Sequence, residues 1–177
     1  NKKYWFNCDN CQKPFYSALS QIVGQITWCP NCIIYKGEEV IETTILSLNY
    51  KSNKQFKFND CRNKLPLPFD NCITELNMYI LIEHDGIQHF SLKKYKGKGY
   101  SIKDWLQRVK RDLIKNAYIV PHNLILVRIS YKCIDQTEEL IKQSIQMAEK
   151  GESGIIYSDP ELYKKTYMKY FKFLSLI

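Results

Sequence analysis

Two short apolar runs do most to limit what this chain can become: Met78-Tyr79-Ile80-Leu81-Ile82 and Leu124-Ile125-Leu126-Val127-Arg128-Ile129. Neither alternates with polar residues, so each reads as a strand covered on both faces, which places helices on either side of a sheet. At 177 residues the chain can bury one sizeable core and has room for a small accessory module. The first run leads directly into Glu83-His84-Asp85-Gly86-Ile87-Gln88-His89. Its end therefore delivers two carboxylates, an amide and imidazoles to one spot beside a permissive glycine.

The remaining elements follow from periodicity and punctuation. Glu38 to about Tyr50 carries apolar residues at Ile41, Ile45, Leu46 and Leu48, which predicts a helix starting near Gly37 after a link over Ile33 to Gly37. Phe56 and Phe58 alternate as in a short strand. Leu65 to Ile73 returns through Thr74-Glu75-Leu76-Asn77 into Met78 to His84, predicting an antiparallel hairpin. Ser101 is placed to cap a helix running to about Ala117, Pro121-His122-Asn123 breaks the chain before the second apolar run, and a helix over Thr137 to Lys150 stops at Gly151. Asp159-Pro160 opens a last helix. The expected fold is mixed α/β (α+β), a small central sheet flanked by helices over residues 35–150, with a helical extension over 151–177.

Ahead of this domain, Cys8-x-x-Cys11 and Cys29-Pro30-Asn31-Cys32 form two knuckles separated by seventeen residues. That spacing suits tetrahedral zinc, each knuckle giving two thiolates from a tight turn, so residues 1–34 are expected to be a four-cysteine zinc ribbon. Such a site has no open coordination position, and its zinc is structural. Cys61, Cys72 and Cys133 sit among apolar neighbours and read as small buried hydrophobes.

Net charge is +8, and the surplus is concentrated. Nine basic residues against two acids fall between Lys93 and Lys115, among them Lys103, Arg108, Lys110, Arg111 and Lys115. A polyanion, and nucleic acid in particular, is the partner such a stripe fits. No run is long enough for a membrane span, and Asn1-Lys2-Lys3 opens no signal sequence; an intracellular location in nucleus or cytoplasm is expected. Without an initiator Met, the chain is expected to be trimmed or a piece of a larger protein; a homodimer is the other expected assembly.

The segments Gly37-Glu38-Glu39-Val40-Ile41, Leu67-Pro68-Phe69-Asp70, Ile82-Glu83-His84-Asp85-Gly86-Ile87-Gln88-His89, Arg111-Asp112-Leu113-Ile114-Lys115-Asn116 and Asn123 to Tyr131 occur in the order found in a branch of the PD-(D/E)XK restriction-endonuclease-like superfamily. Over roughly residues 37–131 the chain resembles that branch, and more distantly the very-short-patch repair and homing endonucleases. The resemblance implies a metal-dependent endonuclease or nickase acting on double-stranded DNA, with catalytic Mg2+ or Mn2+. Asp70 would be the bridging carboxylate, Glu83 with the His84 carbonyl would complete the inner sphere, and Glu38 and Asp85 would add ligands. The family's lysine after Glu-x is replaced by Asp85, leaving His89 as the candidate acid or base and Gln88 as a positioning amide. Asp112 and Lys115 would orient the site or touch phosphate.

Apart from the resemblance, acids on adjacent strands suit a divalent metal, and the implied hydrolysis of a phosphodiester needs an activated water, neutralisation of charge on phosphate oxygens and a proton for the leaving group. Acids packed together also repel one another until a cation arrives. The replaced lysine keeps a second reading open, a non-catalytic DNA-binding protein that retains a nuclease-like fold.

Overall fold

A computed structural model of the chain describes residues 2–8, 12–19, 30–91 and 101–175, with the backbone alone for 30–36. It divides into two compact units, Asn1–Val40 and Ile41–Ile177.

In the first unit, β1 (Lys3–Asn7) and β2 (Pro14–Ala18) pair as an antiparallel hairpin. Cross-strand aromatic pairs hold its two sides, Trp5 on Tyr16 at 5.3 Å and Phe6 on Phe15 at 5.5 Å between centroids. Cys8 is buried at the turn, where Gln12 N–H donates to the Cys8 carbonyl at 2.8 Å and Cys8 N–H donates to Lys13 at 3.2 Å. Cys11 and Cys29, and the side chain of Cys32, lie outside the described residues. Helix α1 runs Pro30–Ser47. It starts at Pro30 rather than near Gly37, and the expected link over 33–37 is helical. Proline suits a first helical turn, and one interior glycine costs only about 1 kcal/mol relative to alanine, too little to stop a helix.

The second unit is built on a five-stranded sheet in the order β3-β4-β5-β6-β7, from β3 (Asn53–Arg62), β4 (Pro66–Ile73), β5 (Ile80–Asp85), β6 (Ile125–Ser130) and β7 (Gly154–Tyr157). The β3/β4 and β4/β5 pairs are antiparallel, whereas β5/β6 and β6/β7 are parallel. The expected hairpin is present as β4 and β5. β3 is ten residues long, longer than its two alternating phenylalanines indicated, and β7 was not expected, its four residues being too short for a periodic signal.

Helices cover both faces. Ile80, Ile82, Ile125, Val127 and Ile129 pack on Ile41 and Ile45 of α1 and on Leu140, Ile141 and Ala148 of α4 (Thr137–Lys150). The alternate residues Leu81 and Leu126 meet Phe69, Cys72 and Ile119 on the other face, beneath α3 (Ile102–Ile119). Between β5 and α3 lies the single-turn helix α2 (Ile87–Phe90). A smaller cluster of Trp105, Val109 and Tyr170 joins α3 to α5 (Pro160–Leu174). Thus residues 154–174, expected as a helical extension, supply an edge strand and a covering helix of the same unit. Among the described residues no helix is long and apolar enough to cross a membrane.

Candidate functional site

The parallel register sets Glu83 opposite Arg128 and Asp85 opposite Ser130. Because strand side chains alternate, the polar residues continue the face of Leu81 and Leu126 and point toward α3, while His84 points the other way. Asp112 and Lys115, three apart on α3, come down onto them. The result is two adjoining charge clusters.

In the first, Arg128 is fully buried and Asp85 wholly enclosed. Arg128 Nε and Nη2 donate to Asp85 Oδ2 and Oδ1 at 2.8 and 2.7 Å, a bidentate pair that Tyr163 completes by donating its hydroxyl to Oδ2 at 2.8 Å. Arg128 also reaches Asp112 Oδ1 at 2.9 Å and donates to Asn116 Oδ1 at 3.0 Å. Asn116 in turn donates to the hydroxyls of Tyr157 and Tyr167. His89 Nδ1 lies 2.8 Å from Asp112 and 3.2 Å from Asp85. Burial of the ring lowers its pKa, but Asp85 and Asp112 outweigh burial and the net shift is upward. Burial likewise acts upward on Asp112, and Arg128 with His89 reverses it, holding the carboxyl below the usual carboxylate range.

Asp85, His89 and Asp112 offer ligand atoms within 4.8 Å of one another. Yet the Arg128 guanidinium already bridges both acids and the Tyr163 hydroxyl occupies Asp85 Oδ2, so a cation could enter there only by displacing them.

The second cluster is Glu83, Asp70 and Lys115. Lys115 is buried, its ammonium 2.5 Å from Glu83 Oε1 and 5.0 Å from the centre of the Phe69 ring. Asp70 Oδ2 accepts the His84 N–H at 2.9 Å, which ties β4 to the end of β5. Burial pushes the Glu83 carboxyl up to about 8, with Lys115 opposing the shift and Asp70 reinforcing it.

Helix α3 also fixes the turn that carries His89. A single-turn helix leaves its carbonyls without intrahelical partners. Trp105 Nε1 donates to the His89 carbonyl and Arg108 Nη1 to that of Gln88, both at 3.0 Å. The Gln88 amide folds back over Gly86: its Oε1 lies 2.4 Å from where a Cβ on Gly86 would stand. A capping box holds the start of α3, Ser101 Oγ accepting from Asp104 N–H and Asp104 Oδ2 from Ser101 N–H.

Of the residues singled out in the sequence, Asp70 and Glu83 come together, as do Asp85 and His89. Glu38 is exposed on α1 in the first unit. Lys103, Lys110 and Arg111 are exposed on α3, whereas Arg108 turns to Gln88 and Lys115 to Glu83. The sequence reading gave no role to Arg128, Tyr163, Asn116, Tyr157 or Tyr167. A signal existed for Arg128 alone: a charge inside an apolar strand must be paired. Compared with known proteins, the chain matches no family model, no curated protein and no solved structure.

Proposed function

We propose that this chain is a metal-dependent endonuclease or nickase hydrolysing phosphodiester bonds in DNA, with a restriction-endonuclease-like core behind a zinc ribbon. The observation that carries the reading is the pairing of Asp70 and Glu83 at the sheet end, next to buried Lys115 and to an imidazole clamped by two acids. The donor set fits a hard divalent cation: oxygen ligands only, with a buried glutamate that Asp70 helps to push up to about 8, so a cation would relieve both charges. Asp70, Glu83 and the His84 carbonyl would hold Mg2+ or Mn2+, which when bound would neutralise phosphate charge and lower the pKa of a water.

The protein's own groups divide the remaining work. Lys115 places its Nζ beside Glu83 Oε1, standing in for the lysine that Asp85 replaces. His89, fixed through Nδ1 and shifted upward, presents its other nitrogen as a proton donor for a leaving oxygen. Asp85 acts through Arg128 and His89 rather than on the phosphate. In the first unit, the backbone hydrogen bonds from Cys8 to Lys13 and from Gln12 to Cys8, with the burial of Cys8, support a zinc knuckle for Cys8, Cys11, Cys29 and Cys32.

Nicking of supercoiled plasmid with magnesium is the test. Wild type is expected to nick, and Asp70→Asn to bind DNA without nicking. The second reading, a DNA-binding module that has lost catalysis, draws on the complete occupation of Asp85 by Arg128 and Tyr163. Tight binding with no cleavage of any DNA form, with Mg2+ or Mn2+, would establish it in place of the first.

A further inference from the structure

The two sides of the sheet carry opposite charge. Helices α3 and α5 share the Leu81 and Leu126 face and hold nine cations against three acids. On the opposite face, α4 holds two cations against three acids, and its Lys142 is paired with Glu138 at 2.6 Å. A merely solvated surface mixes its signs, as α4 does.

The α5 cations are ordered on one side of the helix. Lys165, Lys169 and Lys172, all exposed, stand at i, i+4 and i+7, a stripe about 10.5 Å long. The stripe borders the packed seam with α3. Lys169 Nζ lies 5.3 Å from the centre of the Trp105 ring, and the neighbouring Tyr170 and Phe173 pack on the same indole. Across the seam, Lys103 and Lys110 of α3 lie one turn from Leu106 and Leu113 respectively, and both leucines pack into this contact. The acids nearby are engaged: Asp104 caps α3, and Glu161 lies 3.8 Å from Lys164 at the far end of α5.

We propose that the α3–α5 seam is a nucleic-acid docking surface on which Lys165, Lys169 and Lys172 hold the phosphodiester backbone together with Lys103 and Lys110. This rests on the endonuclease reading and extends it to the C-terminal helix. The α5 stripe is about as long as the rise of three nucleotides of a duplex strand, so its three cations lie at a scale that suits successive phosphates. Contacts of this kind position a duplex and read no sequence.

The test is binding of a fluorescent duplex oligonucleotide by the full chain in EDTA, between about 0.05 and 0.3 M salt. The triple variant Lys165→Gln, Lys169→Gln, Lys172→Gln is compared with Lys132→Gln, Lys142→Gln, Lys150→Gln, which removes the same charge elsewhere. Three lost phosphate contacts make the plot of log affinity against log salt shallower by about 2.7, with affinity near 0.1 M salt at least about tenfold weaker. The second triple changes the slope by less than one, and arginine at the three α5 positions restores it. Equal losses in both triples, an unchanged slope in the first, or binding of this face to anionic lipid vesicles and not to the duplex overturns the proposal. Because no metal is present, a chain that binds through this face but never nicks plasmid refutes the enzyme and leaves the surface standing. A chain that nicks while its α5 triple binds like wild type refutes the surface alone.

Discussion

Glu83 and Asp85 stand two residues apart on one face of β5, and their neighbours differ. Asp85 is gripped by a guanidinium and a hydroxyl. Glu83 is buried beside Lys115 and Asp70, and burial lifts its carboxyl to about 8 from an ordinary 4.5, with Lys115 opposing the shift and Asp70 reinforcing it. Between those values the folded chain keeps a proton that the unfolded chain has lost, so stability without metal must fall as pH rises through that window. His89, also shifted upward, acts in the same sense, its contribution being full below about 6.5 and lost as pH rises further. Urea midpoints of the metal-free protein should drop from pH 5 to pH 8.5, and Glu83→Gln should flatten the profile; a rising profile would mean that Lys115 keeps Glu83 ionised. On the proposed metal site, magnesium would have to expel the Glu83 proton, so its affinity should climb with pH and level off above about 8 in calorimetric titration. Arg128→Met leaves Asp85 and Asp112 buried without their cation, and should cost about 3–5 kcal/mol in urea unfolding.

At the scale of elements, α3 carries the site. Its first turn is held by the Ser101 and Asp104 box, its next by Trp105 and Arg108 on the His89 turn, its last by Asp112, Lys115 and Asn116. Ser101→Ala should cost about 1 kcal/mol of stability, read by thermal unfolding. Trp105→Phe keeps most of the packing but leaves the His89 carbonyl without its donor, so under the proposed endonuclease activity nicking should slow more than DNA binding weakens. Caps and stops of this kind act within a few residues, which is why the ends of α3, α4 and α5 were readable: Ser101, Gly151 in the left-handed region at φ 70 and Asp159 each fix one locally. The start of α1 was misread because Gly37 was given a stop's weight in a segment with helical residues on both sides. β7 escaped because an edge strand of four residues has no period of its own and exists only by pairing with β6.

For the molecule as a whole, β7 and α5 decide whether the site is closed. Deleting residues 154–177 removes Tyr163 from Asp85, Tyr157 and Tyr167 from Asn116, and Tyr170 from Trp105. In the shortened chain the calorimetric transition of the second unit should broaden and shift to lower temperature; an unchanged transition would show the sheet to be complete without them. The sequence by itself determined the buried strands β5 and β6, the hairpin into β5, the acids at its end and the amphipathic helices, because apolar period, turns and caps are local. Only the tertiary structure decided which charge meets which. Asp85 takes Arg128 from 43 residues away and Tyr163 from 78, while Glu83 takes Lys115 from 32. A charge in a sequence announces that it needs a partner when buried, but the choice among cations follows from register and helix placement, which no local pattern encodes.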